Sequence, residues 1–263
     1  MNEVVLKLFL KSSLHILGTS LTGLAKEAAL KIREVVLNHT EGYDSAEFKH
    51  GPNTILGKNT IFTFDSLEKL HTEMLEYFEK LSENTFKTKE QLKSYISLIK
   101  NFKFSDYGAE ILKGQYETSE ERKIYKKAYE KYTDHINIEN YFTNYPLVFV
   151  CPPDKRDIRI TISQIHTHKI RGADIIIIAE DDEDLRKAVE GKPSGQENYY
   201  NKYITIPKSG DKYIFVFAAT VALQQLALKM SIAKRKYLNR NKIENHGVHP
   251  DVPKNVSKSI TVD

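Results

Sequence analysis

The sequence has a single cysteine, no apolar run of bilayer-spanning length and no dense run of basic residues. The lone thiol, Cys151, excludes an internal disulfide framework and a zinc site built from cysteines, and it fits a reducing compartment. The net charge of +4 is mild, and its distribution gives no indication of nucleic-acid binding. From these absences we expect a globular cytoplasmic protein that has neither a membrane nor a nucleic acid as partner.

Four short apolar and β-branched runs predict buried parallel strands at residues 15–17, 147–150, 174–179 and 203–206. Helical patterns lie between these runs, among them residues 24–36 and 214–238, and the last of these is expected to be buried against the sheet. Alternation of strand and helix predicts an α/β fold, a three-layer α-β-α sandwich around a doubly wound, mainly parallel sheet. Residues 1–13 read as an N-terminal helix that packs against another domain.

The middle of the chain differs from this α/β pattern because residues 64–145 are highly charged and free of proline. Residues 65–81 have helical spacing, and Thr88 with Gln91, and Thr118 with Glu121, resemble capping boxes that open further helices. The sequence therefore predicts a helical insertion at 64–145 within one domain formed by 14–63 and 146–263. A lid, a dimer arm and a spacer all remain open as its role.

The first long helix carries a polar stripe, Glu27, Lys31, Glu34 and Asn38, whose spacing places the four residues on one face. Proton transfer beside a carbonyl needs a carboxylate close to the carbon acid, and a lysine one turn away can stabilise the developing negative charge. An ordinary exposed ion pair on a solvated helix face gives the same pattern. Both interpretations are open at this point.

Three further segments carry residue types suited to chemistry. His50 precedes Gly51-Pro52, where it could act as an acid or base or simply cap a helix end. The tail after Pro250 alternates apolar and polar residues, which suggests a docked extended segment, and Lys258 within it could act as a nucleophile. The turn at 18–20 could bind an anion or cap a helix. The histidine pairs lack a third ligand, so we expect no metal and no cofactor.

Three of these segments resemble the second sugar isomerase (SIS) domain of the glucosamine-6-phosphate synthases, which are also called glutamine–fructose-6-phosphate aminotransferases (isomerising). The segments are Glu-Ala-Ala-Leu-Lys-Ile-Arg-Glu at 27–34, Glu-Phe-Lys-His-Gly-Pro at 47–52, and Pro-Lys-Asn-Val-Ser-Lys-Ser-Ile-Thr-Val-Asp at 253–263. Their order and their places along the chain match the family. The resemblance covers about residues 14–60 and 146–263 and implies the SIS fold.

The resemblance implies a role for each matched residue in converting fructose 6-phosphate to glucosamine 6-phosphate. Glu34 would move the proton between C1 and C2, with Lys31 managing the charge beside it. His50 would open the sugar ring, and the family supplies this histidine from a neighbouring subunit. Lys258 would form the Schiff base. Ser257, where the family usually has alanine, would contact the substrate through its backbone.

The family also has parts that this sequence does not match, namely a glutaminase domain and a first SIS domain whose loops hold the sugar phosphate. We therefore expect a homodimer that works with these further domains, and a chain that is one part of the enzyme. The alternative is an SIS module that binds a phosphosugar and catalyses nothing. Such a sensor needs a pocket but has no need of Glu34, His50 and Lys258 together.

Overall fold

The computed structural model describes residues 1–57, 64–80, 143–196 and 199–250, with a few further positions at 90, 92–94 and 96–97. The chain forms two compact units. The first combines Met1–Thr60 with Thr143–Asp263, and the second is Ile61–Phe142.

The first unit is built on a five-stranded sheet whose order is β2-β1-β3-β4-β5. Every neighbouring pair of strands is parallel. The strands are β1 (Ser13–Gly18), β2 (His39–Asp44), β3 (Tyr145–Cys151), β4 (Ala173–Ala179) and β5 (Asn201–Thr205). This order and direction confirm the predicted doubly wound parallel sheet, and the four predicted strands are β1, β3, β4 and β5.

Helices cover both faces of the sheet and complete the predicted three layers. One face carries α1 (Asn2–Leu8), α2 (Thr22–Val36) and α7 (Lys212–Arg240), and the other carries α3 (Ser45–Phe48), α5 (Lys155–Ile170) and α6 (Glu183–Glu190). Each face has its own apolar core, because alternate side chains of a buried strand point to opposite sides. A short 3-10 turn, Pro52–Ile55, follows α3.

The strand β2 lies at the edge of the sheet and has no counterpart among the predicted strands. Its sequence, His-Thr-Glu-Gly-Tyr-Asp, contains no apolar run, and most of its residues are only half-buried. Edge strands keep one side open to water, so the continuous apolar pattern of a central strand is missing. Gly42 is required here, because a Cβ at this position would lie 2.4 Å from the backbone of Ala25 and Lys26 in α2.

The N-terminal helix α1 packs inside its own unit, and its predicted contact with another domain stays a prediction. Val4, Val5 and Leu8 are buried in the core that α1 shares with α2 and α7. Only Leu6 is a strongly exposed large apolar residue on this helix.

The polar stripe on α2 is one residue shorter than predicted. The helix ends at Val36, and Leu37 adopts a left-handed conformation with φ 58° that turns the chain toward β2. Asn38 therefore lies beyond the helix, where it is buried and donates a hydrogen bond to the backbone oxygen of Phe9 at 3.4 Å. Glu27, Lys31 and Glu34 remain on the helix surface.

The last helix, α7, buries one face and exposes another, whereas the prediction had it buried against the sheet. Its buried residues belong to the core that also holds α1 and α2. Its exposed large apolar residues are Tyr213, Ile214, Phe217, Val221, Leu228 and Ile232. By length and composition alone α7 could cross a membrane, against the expectation from the sequence. Its packing against α1, α2 and the sheet accounts for the buried part of this apolar content.

The second unit begins with the helix α4 (Phe64–Lys80), within which Met74 and Phe78 are buried. This helix coincides with the helical spacing at 65–81. The capping boxes at Thr88 and Thr118 lie outside the described residues.

Candidate functional site

Lys31 and Glu34 form an ion pair on the outer surface of α2. The Lys31 Nζ donates to Glu34 Oε2 at 3.0 Å and lies 3.5 Å from Glu27 Oε1. The hydrogen bond to Glu34 is the main reason that the pKa of Lys31 is raised. Glu34 has the least exposed side chain of the three, at 23%. The Lys31 ammonium thus orients the Glu34 carboxylate through this hydrogen bond. It would also stabilise a negative charge that develops on a molecule bound beside the pair.

The sequence of α2 explains why these charged groups face outward. Ala25, Ala28, Ala29, Ile32 and Val36 recur at helical spacing and are buried against the sheet. The three alanines are small enough for the helix backbone to approach β2 closely, which is the contact that requires glycine in the strand. The stripe of Glu27, Lys31 and Glu34 is thereby carried on a helix whose opposite face is buried against the sheet.

His50 lies just beyond α3, a helix of only four residues. Asp44 caps this helix, since its Oδ1 accepts from the backbone N–H of Ala46 at 2.8 Å. Phe48 anchors it with a fully buried ring. The His50 N–H donates to the Glu47 backbone oxygen at 2.9 Å, while the residue itself is exposed. The imidazole is therefore accessible to a molecule that arrives from solvent.

The structure places α2, which carries Glu34, and α3, which precedes His50, on opposite faces of the sheet. The helix α2 packs with Leu14 and Ile16, whereas Phe48 packs with Leu17 in the other core. Among the described residues, neither Lys31 nor Glu34 makes a hydrogen bond or an ion pair with His50. One copy of this chain thus brings Lys31 and Glu34 together and leaves His50 apart from them.

A cavity of about 420 Å³ lies along the edge strand β2. Its lining combines cations of α2 with carboxylates of β2 and of the segment before His50. The lining residues are Thr22, Lys26, Arg33, Glu41, Gly42, Tyr43, Asp44 and Glu47. This mixture of charges suits a small polar ligand. The cavity could not be predicted from the sequence, because the strand β2 that forms one side of it was not predicted.

The turn at 18–20 is satisfied by its own neighbours. Thr19 is buried, and its hydroxyl lies 2.8 Å from Ser45 Oγ and 2.6 Å from Thr161 Oγ1. The Ser20 hydroxyl donates to Asp157 Oδ2, and Lys212 Nζ donates to Ser20 Oγ at 2.5 Å and to Asp157 Oδ2 at 3.2 Å. A buried carboxylate already occupies this crevice, so the structural interpretation of the turn is the better one.

The remaining predicted residues divide into two groups. Lys258 and Ser257 lie outside the described residues. Cys151 is buried, and burial raises the pKa of its thiol to about 12, so it is not a reactive nucleophile. Within the part of the chain that the structure describes, no group of three or more His, Cys, Asp or Glu side chains could hold a metal ion.

Similarity to known proteins is concentrated in a short segment. No family model matches the sequence. A probable glutamine–fructose-6-phosphate aminotransferase (isomerising) of Acanthamoeba polyphaga mimivirus is 48% identical over 50 residues, which are 19% of this chain. The Helicobacter pylori J99 glutamine–fructose-6-phosphate aminotransferase (isomerising) is 50% identical over 46 residues, or 18% of this chain. The matched segment is 8% of each relative's length, so the relatives are much longer proteins.

Among solved structures, a C-terminal domain of glucosamine-fructose-6-phosphate aminotransferase from Francisella tularensis has a TM-score of 0.46 and 17% identity. It covers 89% of this chain and 39% of that one, a similarity too low to carry functional information. The two aminotransferase sequences have a higher sequence identity to this chain, and they confirm the resemblance to the isomerising aminotransferases over about a fifth of the chain.

Proposed function

We propose that this chain is an isomerase-domain part of a glutamine–fructose-6-phosphate aminotransferase, which converts fructose 6-phosphate to glucosamine 6-phosphate. In this proposal, ammonia comes from glutamine through a glutaminase domain elsewhere. The observation that carries the proposal is the Lys31–Glu34 pair, held at 3.0 Å on a helix that packs against the sheet, within a segment that resembles this family. The rest of the reaction is assigned by resemblance.

Glu34 is proposed to remove a proton from C1 of the sugar imine and to deliver it to C2. A carboxylate can do this when it is positioned beside the carbon acid and is partly shielded from water. Lys31 would stabilise the negative charge that develops on the sugar between the two proton transfers. The partly buried Glu34 side chain and its short contact with Lys31 support these two roles.

His50 is proposed to act on a sugar bound to a second copy of the chain. The packing of α2 and α3 on opposite faces of the sheet supports this proposal, because a site that uses both Glu34 and a histidine can then take the histidine from a second copy. The family resemblance implies the same arrangement. Lys258 as the Schiff-base lysine and Ser257 as a backbone contact complete the proposed site.

The exposed apolar face of α7 supports the proposal that further domains cover this one. Tyr213, Phe217 and Val221 are exposed at spacings of four along this helix, and isolated proteins rarely leave a large apolar patch open to water. A first SIS domain and a glutaminase domain, on this or another chain, are the partners that the resemblance implies.

Calorimetric titration of the chain with glucosamine 6-phosphate tests this proposal. We expect saturable binding that weakens in Glu34→Ala and Lys258→Ala but persists in Glu183→Ala. Glu183 is a suitable control because its carboxylate also pairs with a lysine, Lys187, at 2.6 Å on an exposed helix. Binding that none of these substitutions changes would contradict the residue assignments and favour a sensor that catalyses nothing.

A further inference from the structure

Phe48 is clamped between two buried histidines that come from distant parts of the chain. Its ring centroid lies 5.1 Å from that of His15 in β1 and 5.2 Å from that of His168 in α5. The interplanar angle with His168 is 81°, an edge-to-face arrangement. Phe48 is fully buried and stands two residues before His50.

The clamp matters because α3 has little stability of its own. A helix of four residues is not stable through its backbone hydrogen bonds alone, because the hydrogen bonds of one turn do not compensate for the conformational entropy lost in forming it. Besides the Asp44 cap and the buried Ser45, whose hydroxyl lies 2.8 Å from Thr19 Oγ1, the buried Phe48 ring anchors this helix. Release of Phe48 would therefore free the backbone that positions His50.

The two imidazoles that contact Phe48 differ in their hydrogen bonding. His15 is 5% exposed, its Nδ1 lies 2.8 Å from the Tyr145 hydroxyl, and its Nε2 lies 4.0 Å from Glu41. His168 is fully buried, and neither of its ring nitrogens has a hydrogen-bond partner among the described residues. Leaving such polar atoms unpaired in a core carries a free-energy cost, so this histidine calls for an explanation.

The charged and titratable groups around each ring define what protonation would do. Tyr43, Tyr145, His39 and Glu41 face His15, and the Glu41 carboxylate would offset part of an added positive charge.

Around His168 lie the rings of Phe48 and Phe149, together with the cations Lys49 and Arg171. A proton on His168 would thus gain no hydrogen-bond acceptor and would meet two like charges. Burial lowers the pKa of both imidazoles to about 4.

We propose that Phe48 is the positioning residue for His50, and that its clamp holds only while His168 and His15 are uncharged. Protonation of His168 would favour the state in which α3 has left the core and the imidazole of His168 is in contact with water. The inference rests on the proposed function only for the role of His50. The clamp itself is a property of the fold.

Hydrogen exchange of the His50 amide measures the clamp directly, because this N–H is bonded to Glu47 within the anchored segment. We expect its protection, corrected for the intrinsic exchange rate, to fall roughly 30-fold between pH 7.5 and pH 5. This factor assumes that one histidine regains an ordinary pKa of about 6.5 in the opened state. Amides of β4 in the same samples report global opening, and we expect them to stay more protected than the His50 amide at both pH values.

His168→Phe keeps an aromatic ring and removes the titrating group, so the loss of protection at pH 5 should become at least tenfold smaller. His166→Phe is the matched control, because His166 lies on the same helix two residues away and is exposed. Phe48→Leu serves if the first variant does not fold, and it should lose protection at pH 7.5 already. His50 protection that follows β4 at every pH, or that is unchanged in His168→Phe, would overturn the proposal.

Activity separates this inference from the proposed function. If the chain isomerises the sugar, the acid limb of its kcat profile should move to lower pH in His168→Phe and stay in place in His166→Phe. If the chain shows the predicted exchange behaviour but no isomerisation, the result supports the clamp and contradicts the proposed function. If the chain isomerises the sugar and the acid limb does not move in His168→Phe, the result supports the proposed function and contradicts the clamp.

Discussion

Replacing Gly42 by alanine tests how closely the edge strand holds the helix that carries Glu34. A Cβ at this position would lie 2.4 Å from backbone atoms of Ala25 and Lys26. No side-chain rotamer can relieve this overlap, so α2 must move away from β2 by about 1 Å to restore van der Waals contact. Overpacking costs about 1–3 kcal/mol, and a backbone overlap belongs at the upper end, so we expect a loss of about 3 kcal/mol.

Urea unfolding followed by circular dichroism measures this loss as a lower midpoint at constant slope. Gly23→Ala is the matched control, because Gly23 lies in the first turn of α2 and a Cβ there meets nothing within 4 Å. We expect it to stabilise the protein by up to about 1 kcal/mol through helix propensity. A cost below about 0.5 kcal/mol for Gly42→Ala would refute the close packing of strand and helix.

Three further predictions concern individual side chains. Glu34→Gln should lower the isomerisation kcat by a factor on the order of 10²–10⁴, measured by product formation, because it removes the proposed base without changing the shape of the side chain. The neutral forms of His15 and His168 should contribute stability fully above pH 6.5, and this contribution should be lost as the pH falls toward 4, at about 3 kcal/mol for each histidine in acid-unfolding curves. Cys151 should react with thiol reagents only when the protein unfolds, since burial raises its pKa to about 12, and rapid labelling of the native protein would contradict that.

The central strands could be predicted from sequence because buried parallel strands are continuous apolar runs. Residues 147–150 and 174–179 lie within such runs, and both are strands with every residue buried. The edge strand β2 has no such run, and its glycine is explained only by the approach of α2. The end of α2 also escaped prediction, because Leu37 adopts a left-handed conformation that its residue type does not favour.

Spacing along one helix correctly brought Lys31 and Glu34 together, since neighbours three apart share a helix face. Spacing could not place His50 relative to them, because that depends on which side of the sheet each helix covers. The contacts of Phe48 with His15 and His168 could not be predicted from the sequence either. The histidines at positions 15 and 168 are far apart in sequence. His15 lies in a predicted buried strand, but no local pattern shows that His168 is buried or that both rings contact Phe48.

The most direct test of the proposed chemistry is deuterium exchange at C2 of glucosamine 6-phosphate in heavy water, followed by proton NMR with the full chain. The reverse proton transfer removes this hydrogen, so exchange reports the Glu34 step without a supply of ammonia. We expect exchange with the parent chain and with Glu183→Gln, and a loss of exchange with Glu34→Gln. Saturable binding without exchange, or exchange that Glu34→Gln leaves unchanged, would contradict the assignment of this chain as the isomerase part.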